Sequence, residues 1–173
     1  QILAVFHRDR PLRRGMPREE LRTRLRIAGT IGSKIMQRLT QTGVVMEEEG
    51  LVRSGDHHII LSKEQQELMD QFIQALEKNP FAPAPPLDES LLGLLMDNGM
   101  VVKVAHGIFF GEAPYNWMKD MIVTHMRSQG SITVAGLRDL LGTSRKYALA
   151  LLTHLDDIHL TRRVGDERTL IHR

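Results

Sequence analysis

The last 60 or so residues change hydrophobic period partway along, and few folds accommodate that change. From Tyr115 to Ile158 apolar residues recur every three or four positions, whereas Leu160 to Val164 and Arg168 to Ile171 read as two short strands joined around Gly165-Asp166-Glu167. Tyr115 to Gln129 reads as a helix with Trp117/Met118, Met121/Ile122 and His125/Met126 on one stripe, ended by Gly130. Ile132-Thr133 is a short extended piece, and Val134 to Leu141 a second helix stopped by Gly142. Thr143 or Ser144 caps a third helix whose stripe is Tyr147/Ala148, Leu151/Leu152, Leu155 and Ile158. Helix, short strand, helix, turn, helix, hairpin is the order of a winged helix.

The first 62 residues repeat the second half of that order. Arg18 to Arg26 is a helix after Pro17, Gly32 to Thr42 is another, and the strands are expected at Val44 to Glu48 and His57 to Leu61 around Ser54-Gly55-Asp56. Only Ile2 to Arg8 remains for an opening helix, so the chain is expected to begin inside it. The middle stretch opens with a helix at Lys63 to Lys78 and a stiff loop holding Pro80, Pro83, Pro85 and Pro86. Its hairpin is expected at Met100 to Val104 and Gly107 to Phe110, with room for one helix, Asp88 to Asn98, where the pattern wants two. Either this module has lost a helix or residues between Pro86 and Leu91 are absent. The expected fold class is mainly α with small β-hairpins, as tandem winged-helix domains (helix-turn-helix plus wing). They span 1–62, 63–112 (shortened or incomplete) and 113–173. Modules this small bury only about 60% of their unfolded surface, so stacking end to end would help them.

Charge follows the same boundaries. Residues 1–62 carry eleven Arg/Lys against seven Asp/Glu, residues 63–114 three against eight, and residues 115–173 nine against six. The near-neutral total of +2 therefore conceals two basic ends around an acidic middle. With no cysteine, disulfide scaffolds and thiolate zinc sites are excluded. No apolar run approaches the roughly 20 residues of a membrane helix, and Gln1-Ile2-Leu3-Ala4 lacks the basic and apolar regions of a signal peptide. The expectation is a cytoplasmic piece of a longer protein, with no membrane partner and monomeric.

Enzyme motifs are missing. Gly29-Thr30-Ile31-Gly32-Ser33-Lys34 lacks phosphate-loop spacing, and neither Gly-x-Ser-x-Gly nor His-Glu-x-x-His occurs. His57-His58, read as strand neighbours on opposite faces, and His154 and His159 make poor metal sites. No catalytic residue, metal or cofactor is assigned to the chain. The basic group of the last module is different. Arg145 and Lys146 fall in the first turn of the third helix, where the helix dipole disfavours cations. An external anion reverses that sign, since free N–H groups beside Arg and Lys make a phosphate site. Thr143 and Ser144 add hydroxyls, and Tyr147 offers a ring for stacking unless the core claims it. Arg162, Arg163 and Arg168 lie on the wing, with Arg162 and Arg163 on opposite faces. In the first module, by contrast, Glu20 can pair with Arg24 and Glu19 with Arg22, so the run from Arg8 to Arg26 is expected as a solvated charged face, with a phosphate- or ribosomal-RNA-facing role as the alternative.

The run Ser131-Ile132-Thr133-Val134-Ala135-Gly136-Leu137-Arg138-Asp139-Leu140-Leu141-Gly142-Thr143-Ser144-Arg145-Lys146-Tyr147-Ala148, continuing through Leu160 to Arg168, resembles the last winged helix of the bacterial selenocysteine-specific elongation factors of the SelB family. Leu12-Arg13-Arg14-Gly15-Met16-Pro17-Arg18-Glu19-Glu20-Leu21-Arg22 resembles the second of that family's four C-terminal winged helices. The resemblance implies an arm that holds the mRNA hairpin recoding UGA, in a factor whose upstream GTPase part, with GTP and Mg, carries selenocysteinyl-tRNA to the ribosome. It implies an RNA-facing role for Thr143, Ser144, Arg145, Lys146, Tyr147, Arg162, Arg163 and Arg168. The residues agree on mechanism: the third helix is basic only at its N-terminus, while Thr153, His154, Asp156 and Asp157 leave its later face neutral to acidic. That suits an end-on grip of a hairpin better than groove reading of DNA. The competing classes are a DNA-binding winged-helix regulator and a protein-interaction arm.

Overall fold

A computed structural model describes residues 1–27 and 29–171, with Thr30 and Ile31 described for their backbone only; the end of the last module, 172–173, lies outside the described residues. In chain order the elements are α1 (Ile2–Asp9), β1 (Met16–Pro17), α2 (Arg18–Leu25), α3 (Gly29–Gln41), β2 (Val45–Glu48), β3 (Leu51–Ser54), α4 (Lys63–Lys78) and α5 (Glu89–Asp97). There follow β4 (Val101–Ala105), β5 (Ile108–Gly111), α6 (Glu112–Gln129), β6 (Ile132–Thr133), α7 (Val134–Leu141), α8 (Arg145–Asp157), β7 (Thr161–Val164) and β8 (Glu167–Leu170). The mainly helical class with small antiparallel sheets is as expected from the two hydrophobic periods. None of the described helices is long and apolar enough to cross a membrane.

Contacts divide the chain into two compact units: residues 1–66 with 88–97, and residues 67–87 with 98–173. The lines do not fall at 62 and 112. The single middle helix α5 joins the first unit, and the β4–β5 hairpin joins the second. One helix cannot cover a hairpin's apolar face alone, and Val104, Ile108 and Phe110 are instead buried in a common core with Met118, Ile122, Leu137, Leu151 and Leu155.

Each unit holds a three-stranded sheet of the same topology, β1-β3-β2 in the first and β6-β8-β7 in the second. In the first, Phe6, Met16, Leu21, Met36, Val45 and Val52 form the core. Its hairpin corrects the sequence reading. The turn lies at Glu49-Gly50, with φ of 51° and 77°, and β3 is Leu51–Ser54; His57 to Leu61 forms no strand. A two-residue turn with both φ positive matches strand twist, whereas Ser54-Gly55-Asp56 sits after the ladder has ended. Gly55 instead permits a close approach of two backbone segments, since an added Cβ would overlap the Gly43 carbonyl oxygen. The two units therefore do repeat, but β2–β3 corresponds to β7–β8, whose turn is Gly165-Asp166.

The freed His57 is not a strand residue facing away from its neighbour. Its ring stacks on His7 at 3.6 Å and 13°, and His7 Nε2 accepts the Ser54 N–H at 3.3 Å. In α6 the buried stripe is Tyr115, Met118, Ile122 and Met126, while Trp117 is 54% exposed, so the expected Trp117 contact to the core is replaced by Tyr115.

Candidate nucleic-acid interface

Local sequence builds the turn between α7 and α8. Thr133 caps α7, its Oγ1 accepting the Gly136 N–H at 3.0 Å. Gly142 ends α7 with φ of 60°, and the Thr143 N–H donates to the Arg138 carbonyl at 3.0 Å. Ser144 then occupies the N-cap of α8, but its hydroxyl makes no capping bond. The first helical bond of α8 runs from the Ala148 N–H to the Ser144 carbonyl, leaving the three preceding amides without intrahelical acceptors. Arg145 and Lys146 flank these amides, both exposed, and neither makes an ion pair among the described residues. The first turn of α8 thus combines three amides without intrahelical acceptors, two cations, a hydroxyl with no hydrogen bond among the described residues, and no acidic side chain.

The wing adds one cation and removes another. Arg163 and Arg168 are directly paired across β7 and β8, and so share a face of the sheet; Arg162 pairs with Thr169 on the other face. Arg163 is exposed and bends toward its own turn, its Nε donating to the Gly165 carbonyl at 2.8 Å. Arg168 is only 5% exposed. Its Nε donates to Asp156 Oδ2 at 3.2 Å, while Thr161 Oγ1 donates to Asp156 Oδ1 at 2.6 Å. A carboxylate at the end of α8 therefore ties both wing strands to that helix. Beside this tie, Arg145, Arg163, Asp166, Leu149 and the start of α7 line an open depression.

Tyr147 is claimed by the core. It is 9% exposed and lies against Phe81 and Phe110 with ring centroids 5.7 and 6.2 Å away, while Lys146 Nζ stands 5.8 Å from its ring centroid. Its ring is enclosed rather than presented for stacking. Thr143 is half-buried, with its Oγ1 enclosed and without a hydrogen-bond partner among the described residues. Of the eight residues named from sequence, Arg145, Arg163 and the buried Arg168 border one depression, Ser144 and Lys146 join Arg145 at the start of α8, and Arg162 faces away. Leu149, off the apolar stripe of α8, is 44% exposed and lines the same depression. Farther along, the Tyr115 hydroxyl lies 3.0 Å from His154 Nε2, and Asp156 is used internally, so the later face is less acidic than its sequence.

Comparison with known proteins gives the same fold at both ends. Family models described as elongation factor SelB, winged helix, match residues 1–53 with that family's second such domain and residues 124–170 with its third. The sequence resemblance makes the end module the last of four; the match names the third. The selenocysteine-specific elongation factor of Desulfomicrobium baculatum is 25% identical over 189 residues, covering 98% of this chain and 29% of its own length. That of Escherichia coli K12 is 25% identical over 178 residues, covering 95% and 28%. The chain thus spans under a third of these curated relatives. Among solved structures, the mRNA-binding domain of E. coli elongation factor SelB, in complex with SECIS RNA, aligns with a TM-score of 0.51 at 22% identity, over 65% of this chain and all of that one. A bacterial selenocysteine-specific elongation factor EF-Sec aligns with a TM-score of 0.51 at 14% identity, over 91% of this chain and 26% of that one.

Proposed function

This chain belongs to the elongation factor SelB family as part of its winged-helix region, and from that premise we propose that its end domain grips a structured mRNA hairpin. The arm would tether a selenocysteine-specific elongation factor to its message in the cytoplasm. The observation that carries this reading is the start of α8: three free amides, the unused Ser144 hydroxyl, Arg145 and Lys146, with Arg163 across the depression and no carboxylate in the helix's first turn. Such a group stabilises a phosphate run and the bases splayed from it at a loop or bulge. It is too short to line a duplex major groove, since Tyr147 and Ala148 turn inward immediately after it. Arg145, Lys146, Ser144 and Arg163 are the contacts; Thr143 positions the turn, Arg162 contributes to the field around the wing, and Tyr147 and Arg168 support from beneath.

GTP, Mg, selenocysteinyl-tRNA and the ribosome are assigned to the longer factor, whose length this chain spans only in part. We assign the chain itself no catalysis, and a monomeric state.

The test is competition at fixed salt between an mRNA hairpin with a bulged stem and a DNA duplex of matched length. We expect the hairpin to win and Arg145→Ala to cost about 1–3 kcal/mol of hairpin affinity. Preferential binding of a palindromic DNA duplex would instead identify a DNA-binding regulator, and absence of binding to any structured RNA at low salt a protein-interaction arm.

A further inference from the structure

Cations in the first unit are distributed unevenly between paired and unpaired. Arg8, Arg13, Arg14, Arg18, Arg22 and Arg24 each stand within 3.2 Å of a carboxylate oxygen. Elsewhere in the unit Arg10 lies over the Phe6 ring, 5.3 Å from its centroid, and Arg53 donates to the Ser54 and His57 carbonyls, whereas Arg26, Lys34 and Arg38 are exposed and make neither an ion pair nor a ring contact among the described residues. All three fall in one stretch, Leu25 to Met46, which contains no Asp or Glu. Lys34 and Arg38, four apart on α3, share the face opposite the buried Met36, and Gln41 continues that face in the exposed last turn. The solvated face of the preceding helix α2 mixes signs, through its Glu19–Arg22 and Glu20–Arg24 pairs. This one does not.

Two further observations concern the same place. By sheet order and helix sequence α3 is the counterpart of α8, and α2 and α7 end alike: each has a left-handed C-cap, Arg26 at φ 53° and Gly142 at φ 60°. At this position glycine is unstrained and arginine is not. The first unit thus holds a cation in a costly backbone conformation in the turn leading into an acid-free helix.

We propose that Arg26, Lys34 and Arg38 form a second RNA-binding surface, which takes the phosphate–ribose backbone of a paired RNA segment. Two cations one helical turn apart, with glutamine amides between and beyond them, suit successive phosphates and 2′-hydroxyls, and they contain nothing that demands an unpaired base. This surface borrows from the α8 reading only the topological parallel. Its charge and its strain are its own, so either site can fail without the other.

The test uses the whole chain and a blunt, fully paired RNA duplex of about 16 base pairs, a length that double-stranded RNA modules span. Lys34→Ala with Arg38→Ala should weaken duplex binding roughly 10-fold and reduce the slope of log K against log salt by about 2. Binding of a bulged hairpin through α8 should persist in that variant, and duplex binding should persist in Arg145→Ala with Arg163→Ala. Arg26→Gly provides a control on folding, because it relieves the backbone while removing the charge: the melting temperature should hold or rise as duplex affinity falls. Unchanged duplex affinity in the α3 double variant would overturn the proposal. So would loss of duplex binding in the α8 variant alone, or tighter binding of the matched DNA duplex at equal salt.

Discussion

Asp156→Ala removes a carboxylate to which both wing strands donate. Its two oxygens accept from Thr161 Oγ1 at 2.6 Å and from Arg168 Nε at 3.2 Å, and the Arg168 side chain retains 6% of its exposure against 23% for Asp156. Deleting one partner of a buried pair leaves an uncompensated charge, at a cost of about 3–5 kcal/mol. Asp156 is partly reachable by water, which places this case near the lower end. A loss of about 3 kcal/mol is a large fraction of the roughly 5–15 kcal/mol that holds a domain folded. For a unit of this size it lowers the melting temperature by roughly 10–20 °C. The neighbouring Arg163, paired with Asp166 only at 3.8 Å and 63% exposed, supplies the contrast: Arg163→Ala should shift stability by well under about 1 kcal/mol. Thermal unfolding followed by circular dichroism distinguishes the two. A double cycle of Asp156→Ala and Arg168→Ala should then show strong coupling, the second substitution adding little to the first. A melting temperature for Asp156→Ala within a few degrees of the parent would refute the dependence of the buried guanidinium on this carboxylate.

Acid should destabilise both units through the buried His7 and the half-buried His154. Burial, then His57 and Arg53, hold the His7 imidazole below its ordinary 6.5 against the pull of Asp56, and burial lowers His154 against the pull of Asp157. The unfolded chain then binds more protons than the folded one as pH falls through 6.5, so stability should drop from pH 7 to pH 5, and His7→Leu should flatten that slope in urea titrations. Gly55→Ala should destabilise the first unit by more than Gly50→Ala does. The former drives a Cβ into the Gly43 carbonyl oxygen, while the latter incurs only the left-handed strain of φ 77°, about 1 kcal/mol. Equal denaturation midpoints would contradict the close approach of Gly55 to Gly43. Tyr147→Ala should cost about 3–5 kcal/mol of stability, whereas Tyr147→Phe should leave hairpin affinity unchanged, because the ring packs on Phe81 and Phe110; a clear loss of affinity in the phenylalanine variant would show the hydroxyl in use at the RNA.

What the sequence made legible was local. Periods of 3.6 and 2, with Gly130, Gly142 and Gly165 as punctuation, located α6, α7, α8 and the second wing to within a few residues. The start of α8 was recognisable as an anion site because that reading needs only adjacent residues. Arg168 was not, because its role depends on Asp156, twelve positions away and on another element. In the first unit two glycine-containing turns competed, and the Gly-Asp pair at 55–56 drew the hairpin away from Glu49-Gly50. The alternation of buried Val45 and Val52 against exposed Met46 and Glu48 was the signal that would have separated them. The middle stretch was ambiguous for a different reason: its hairpin finds its core in residues far along the chain, which no local pattern reveals.

The central claim is that the start of α8 and the wing hold RNA through their phosphates. The most direct measurement is the salt dependence of bulged-hairpin binding by the whole chain and by its Arg145→Ala, Arg163→Ala variant, each confirmed folded by circular dichroism. We predict weaker binding and a slope shallower by about 1.5–2, corresponding to two lost phosphate contacts. An unchanged affinity and slope would contradict the assignment of this surface to RNA.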